Sequence, residues 1–195
     1  MRQPVPLDRC TRLLNHGPTV LVSAEHAGRR NVMAAAWSMP LDFTPPKVTV
    51  VLDKQTFTRT LVEASGHFAL AVPTAAMAAL TDRVGSVSGR DIDKFADKSG
   101  DALATAEPGP ATGAPLVQGC IAWLECRRIP EPHNEQAYDL FIGEVVAAWA
   151  DDRVFRDGRW HFDGADASLR SLHHIAGGHF FAIGDEVKYT PLSEG

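Results

Sequence analysis

No apolar run in the 195 residues approaches the roughly 18 needed for a membrane-crossing helix. The opening residues, MRQPVPLDRC, lack the apolar centre of an export signal, which predicts a cytoplasmic protein. Cations are outnumbered, 19 Lys and Arg against 24 Asp and Glu for a net charge of −5, so the basic stripe of a nucleic-acid groove is missing. Cysteine is scarce, at three residues. Cys120 and Cys126 fall on one predicted strand, about 20 Å apart at ~3.3 Å per residue. A disulfide needs less than about 7 Å between Cα atoms, so those two cannot bridge. All three cysteines read as reduced, packing thiols.

Several catalytic signatures are absent as well. No G-x-G-x-x-G follows a strand, which excludes the dinucleotide fingerprint. Gly85-Ser-Val-Ser-Gly89-Arg90 lacks the glycine spacing and the Lys-Ser/Thr pair of a nucleotide P-loop. There is no G-x-S-x-G, and Cys120 and Cys126 lie in apolar strand sequence, away from any helix start. Eight histidines raise the question of zinc. His173 and His174 would point apart on a strand, and neither Cys-x-x-Cys nor His-Glu-x-x-His occurs. No metal site is expected.

What remains is a chain of ordinary globular composition, 45% hydrophobic and 22% charged, that reads as one domain over residues 1–195. Short strands are expected at 19–24, 31–39, 47–52, 67–72, 120–129, 138–150 and 179–183, with a turn holding Gly28 after the first. Residues 153–163 read as a hairpin turning at Asp157 and Gly158. Short helices are expected at 60–66, capped by Thr60 with Glu63 and stopped by Gly66, and at 74–83 and 91–99, the last holding Lys94. Residues 85–90 and 130–137 read as loops, and 101–119 as an irregular crossing with strand pieces. A helix of 10–15 residues after most strands is missing, so the architecture is mainly β, a small barrel.

Residues 31–60 carry the chemistry. After the strand ending at Leu52 come Asp53, Lys54, Thr56, Thr58 and Thr60, crowded at a helix start. Hydroxyls, one cation and unpaired helix-start amides are what a phosphomonoester dianion needs. Thr60 is accounted for as a cap; Thr56 and Thr58 are not, and their i, i+2 spacing sets both on one side of an extended segment. The Ala34-Ala35-Ala36 run offers nearly bare backbone for a flat ring, with Trp37 beside it. Together they predict a site for a phosphorylated planar cofactor.

In order along the chain, N-x-M-x-x-x-W (Asn31, Met33, Trp37), the T-x-T of Thr56 and Thr58, FALAVP (68–73), GSVSGRDIDKF (85–95), APLVQGCIAWLEC (114–126) and YDLFIGEV (138–145) resemble the flavin reductase-like family of FMN-binding split barrels, in particular its flavoredoxin-type branch. The likeness runs from about residue 15 to residue 185. It implies a six-stranded antiparallel split β-barrel with short flanking helices, dimerising with FMN near the interface. Asn31, Met33 and the backbone at Ala35, Ala36, Trp37 and Ser38 would then hold the ring edge and ribityl chain. Lys54, Thr56 and Thr58 would hold the phosphate, with Lys94 as a second cation. The resemblance further implies hydride transfer from NADH or NADPH to the flavin, which needs positioning of two rings and no general acid. Tyr138 and Asp139 stand where related reductases carry Asp-His, so His133 is the candidate contact for the nicotinamide or other substrate. The alternative is a non-catalytic electron carrier that meets a redox partner; a haem or pyridoxal-phosphate protein on a related barrel is a third.

Overall fold

The computed structural model describes residues 1–96 and 103–190. Its strands in chain order are β1 (Arg2–Pro4), β2 (Val20–His26), β3 (Arg29–Ala35), β4 (Ser38–Phe43), β5 (Pro46–Val51), β6 (His67–Val72), β7 (Ala106–Pro108), β8 (Pro115–Val117), β9 (Ala122–Ile129), β10 (Leu140–Asp151), β11 (Phe155–Arg156), β12 (Arg159–Trp160), β13 (Leu172–Ala176) and β14 (His179–Ala182). Among the described residues three α-helices accompany them: α1 (Phe57–Ser65), α2 (Ala78–Ser86) and α3 (Pro132–Ala137).

One antiparallel sheet dominates, in the order β3-β2-β6-β9-β10-β5-β4, with β1 laid beside the far half of β10. It therefore has eight strands where six were expected. Part of the difference is β1. The rest comes from the 31–39 run, which is two strands and not one. β3 pairs with β2 and β4 with β5, and the chain changes partner across Ala36 and Trp37, where Val51 N–H donates to the Trp37 carbonyl at 3.0 Å. Pro40 is tolerated because it sits on an edge strand beside an irregularity between Pro40 and Asp42. Only those two residues separate β3 from β4, yet the two strands occupy opposite ends of the sheet order. The sheet must therefore curl until its edges meet, as a barrel with an unbonded split between them.

The barrel interior is filled by Val20, Val22, Val50, Phe68, Leu70, Leu124 and Phe141. Gly143 lets β10 pass over the Phe68 ring, since a Cβ there would stand 2.5 Å from Phe68 Cζ. The outer face of β2, β6 and β9 is covered too, by Leu116, Phe95 and Val84 of α2 against Leu21, Ala71 and Trp123. All three cysteines are free and buried, and burial pushes the Cys10 thiol up to about 11.

α1 begins earlier than its sequence signature suggests. Asp53 makes the turn: its carbonyl accepts from the Thr56 amide at 2.9 Å and hydroxyl at 2.8 Å, and its Oδ1 accepts from the Gln55 amide at 2.7 Å. That turn places Thr56 at the cap and Thr60 inside the helix, correcting the expected cap. Gly66 ends it in the left-handed conformation, φ 73°, as expected. α2 runs on through Gly85 to Ser86, and the expected loop at 130–137 contains α3, started by Pro132. Residues 91–96 are turns in place of the expected helix, and 97–99 lie outside the described residues. The hairpin turn at Asp157 and Gly158, both at positive φ, is as expected.

Candidate functional site

Two cavities meet at the split. The larger, about 640 Å³, is walled by residues 34–37, Val51 and Asp53 on the barrel side, by Thr81, Asp82 and Gly85 of α2, and by Tyr138, Asp139, His174 and Phe180. The smaller, about 240 Å³, lies at the start of α1 and is lined by Asn31, residues 55–58, Val84, residues 85–89 and Lys94. Met33, Gly85 and Ser86 line both. The pair thus forms one continuous depression with a mainly apolar chamber at one end and a polar pocket at the other.

The polar pocket is rich in donors. No side chain caps α1, so its first amides, at Phe57 and Thr58, are free of a capping partner. Thr58 is fully buried, and its hydroxyl accepts from the Asn31 carboxamide at 2.9 Å, which leaves the hydroxyl proton for another acceptor. Asn31 Oδ1 is buried without any partner. Such an atom costs about 1–3 kcal/mol unless something binds it. Gly89 packs directly on that carboxamide; a Cβ there would overlap it. Lys94, only 2% exposed, donates to the carbonyls of Val32 and Val84 at 2.7 Å each. An ammonium has three protons, so one remains for the pocket. Burial brings the Lys94 pKa down to about 8.

Most residues expected from sequence come together here. Asn31, Thr56, Thr58 and Lys94 line the polar pocket, Ala35, Ala36 and Trp37 the apolar chamber, and Met33 both. Three stand elsewhere. Lys54 lines neither cavity; it is largely exposed, with Nζ 3.8 Å from Asp139. Ser38 gives its hydroxyl to the Thr49 carbonyl at 3.0 Å. His133 is on α3, its ring edge-on to Tyr138 at 5.5 Å, so Tyr138 and not His133 reaches the chamber. The Thr56 hydroxyl is engaged by the Asp53 turn, so the extended i, i+2 reading of Thr56 and Thr58 does not hold.

Sequence reasoning missed the α2 wall, the loop at 86–89 and the hairpin residues His174 and Phe180. It also missed Arg59. This guanidinium is buried over the Phe141 ring and bonds the Leu52 carbonyl at 3.1 Å, the Glu135 carbonyl at 2.8 Å, Glu63 at 2.9 Å and Asp139 at 2.5 Å. It fixes the end of β5, the end of α3 and the chamber rim to α1. The segment had a visible signal, two serines and a glycine at the end of a helix, set aside because it is not a P-loop.

Among the described residues no group of three or more His, Cys, Asp or Glu could hold a metal ion, and no helix is long and apolar enough to cross a membrane. What the depression suits is a molecule with a flat apolar body and a compact anionic tail. Its unpartnered Asn31 oxygen and the free proton of Lys94 are consistent with a cofactor such as FMN.

Comparison with known proteins agrees. Residues 12–170 match the flavin reductase like domain. Over 187 residues, 94% of this chain and 96% of the other, the sequence is 49% identical to YddH, an uncharacterized protein of Escherichia coli K12. The fold matches the crystal structure of an FMN-binding domain of a flavin reductases-like enzyme from Shewanella baltica OS155, with TM-score 0.90 and 52% identity over 97% of this chain and 98% of that one. It also matches the flavoredoxin of Desulfovibrio vulgaris (Miyazaki F), with TM-score 0.75 and 26% identity over 89% and 90% of the two chains. With a mainly β antiparallel split barrel and a domain match over most of its length, the chain belongs to the flavin reductase-like family of FMN-binding proteins.

Proposed function

We propose that this chain is an FMN flavoprotein oxidoreductase that takes hydride from NADH or NADPH and passes the electrons to an acceptor. The observation that carries the reading is the buried Asn31–Thr58 pair, with its unpartnered Asn31 oxygen, beside Lys94 at the uncapped start of α1. Thr58, Lys94 and the helix-start amides would hold the phosphate, with Thr56 at its periphery. Asn31 and Met33 meet the ribityl chain. The isoalloxazine would lie against the backbone of Ala35 and Ala36, beside Trp37. When bound, FMN supplies the hydride-accepting ring; the protein orients it and keeps the opposite face accessible.

The same reading includes a homodimer. Strand β4 is a sheet edge that exposes Met39 (56%), Leu41 (47%) and Phe43 (74%), with Trp37 (75%) just before it. An apolar edge of this length invites pairing, and a second copy covers it while closing the chamber at Trp37. The buried, reduced thiols fit a cytoplasmic protein.

A non-catalytic carrier reduced by a redox partner protein is the second reading. It is favoured by one observation: His133, the candidate nicotinamide contact, stands behind Tyr138 and outside the chamber. One experiment separates the two. Protein purified without added cofactor is denatured and its chromophore identified by chromatography, then the intact protein is titrated anaerobically with NADH and NADPH. Release of FMN and bleaching of the flavin band by either nucleotide support the oxidoreductase. FMN with no bleaching supports the carrier, and a haem, pyridoxal phosphate or no chromophore after FMN supplementation defeats both.

A further inference from the structure

The matched domain ends at residue 170, but the chamber does not. Directly after it, β13 and β14 form a hairpin that reaches back across the opening. Its root is fastened to the barrel: Thr19 N–H donates to the Leu172 carbonyl at 2.8 Å, His174 N–H donates to the Thr19 hydroxyl at 2.8 Å, and Ala75 N–H donates to the Arg170 carbonyl at 2.8 Å. Its tip, Gly177 and Gly178 at φ 55° and 77°, rests on α2, where a Cβ on Gly178 would stand 3.2 Å from Asp82 Oδ1. Between root and tip, His174 and Phe180 are cross-strand partners with rings 5.4 Å apart and edge-on, and both line the chamber.

Two further observations bear on what this wall contacts. Thr81 Oγ1, on α2, is fully buried, lines the chamber and has no hydrogen-bond partner. A buried hydroxyl in that condition is free to donate to an acceptor on a ligand. The chamber's described lining contains three aspartates and neither lysine nor arginine. Asp139 is bound to Arg59 and Asp53 to the Gln55 amide; Asp82 has no such partner among the described residues.

We propose that the β13–β14 hairpin is the second-ligand wall of the FMN site. His174 and Phe180 clamp a planar, uncharged or cationic ring bearing an exocyclic carbonyl, Thr81 donates to that carbonyl, and Asp82 excludes rings carrying a carboxylate or sulfonate. The inference rests on the FMN reading above and assigns the substrate class of that site. Two sources share this ring chemistry, the nicotinamide of the electron donor and a quinone-type acceptor.

The test uses FMN-loaded protein and the variants Phe180→Ala, Phe180→Leu and His174→Ala, with flavin fluorescence titration as the control for cofactor affinity. Stopped-flow reduction by NADH and NADPH gives the donor dissociation constant. Anaerobic reoxidation of the photoreduced protein by menadione gives the acceptor constant. The expected result is FMN affinity unchanged within twofold and a rise of about tenfold in one of the two ring constants, in both Phe180 variants. A rise in the nicotinamide arm identifies the donor as occupant, and one in the menadione arm identifies the acceptor. Asp82→Asn should raise the preference for anthraquinone-2-sulfonate over menadione about fivefold. Unchanged constants in all three hairpin variants, or an FMN affinity that falls as much as ring affinity, overturn the proposal. Wild-type protein that fails to retain FMN would defeat the underlying functional reading, a separate outcome visible before any variant is made.

Discussion

Asn31 donates its carboxamide N–H to the Thr58 hydroxyl across 2.9 Å inside the protein, while its own Oδ1 is left with no partner. One residue comes from the middle of β3 and the other from the first turn of α1, so the bond also welds helix to sheet. Thr58→Ala removes a donor to the proposed phosphate dianion. A hydrogen bond to a charged group contributes about 1.5–3 kcal/mol, so FMN affinity should fall about ten- to a hundredfold. Riboflavin, lacking the phosphate, should lose far less in the same variant. Trp37→Ala should weaken both flavins together. Flavin fluorescence titration of the two ligands checks this, and equal losses in Thr58→Ala would reduce Thr58 to a structural tie.

Lys94 makes a pH-dependent prediction whose sign follows from its lowered pKa of about 8 against an ordinary 10.5. Without cofactor, the unfolded chain binds more protons between those values, so stability should rise with pH from about 8 to 10.5 as the buried charge is discharged. A bound phosphate favours the ammonium. FMN affinity should therefore decline above about pH 8, approaching tenfold per unit, and Lys94→Met should flatten that decline. Binding isotherms between pH 7 and 9.5 are sufficient; an equal slope in both proteins would remove Lys94 from the phosphate site.

Arg59 should be the most damaging truncation around the site. Arg59→Met leaves two carbonyls and the Asp139 carboxylate without their donor, at a cost of about 3 kcal/mol. Glu63→Gln, at the exposed end of the same network, should cost under about 0.5 kcal/mol. Urea unfolding of the two variants measures the contrast.

His16 should limit stability in mild acid. Its Nε2 meets the Ser171 hydroxyl at 2.9 Å, its Nδ1 is buried without a partner, and its ring abuts Trp160. Burial, with a smaller contribution from His173, lowers its pKa from 6.5 to about 4. The fold keeps it neutral, so stability is lost as pH falls from 6.5 toward 4, by up to about 3 kcal/mol at about 1.4 kcal/mol per unit. His16→Gln should show a shallower fall across that window in urea titrations at pH 7, 5.5 and 4.5.

The β4 edge should hold two copies together. Light scattering at micromolar concentration should give twice 21.1 kDa for the wild type. The double variant Leu41→Asp, Phe43→Asp should give the single mass, because both exposed side chains would carry charge into the contact. A wild-type monomer that still binds FMN would refute the dimer.

The sequence showed the barrel better than it showed the cavity. Strands such as β2, β6 and β9 are legible because their apolar character is imposed by burial on both faces, and the Gly66 stop because only a left-handed residue ends α1 that way. The split between β3 and β4 was not legible. Residues 32–37 are apolar throughout, and a change of pairing partner leaves no mark on side-chain pattern. Thr58 was found because clustered hydroxyls are unusual at a helix start, and Asn31 and Lys94 because the family resemblance implied them. Thr81, His174 and Phe180 were not, since a hydroxyl on a helix and an aromatic on a hairpin acquire meaning only from what the fold sets opposite them.

The split has a mechanical consequence. Its two lips, β3 and β4, share no ladder hydrogen bonds, while every other neighbouring pair in the sheet does. Widening the gap therefore strains only the short tether at Ala36 and Trp37 and the side chains packed across it. The molecule has an elastic seam beside its proposed cofactor site. Loading and unloading a flat ring there can proceed by breathing of the lips, on a timescale decoupled from unfolding of the rest of the sheet.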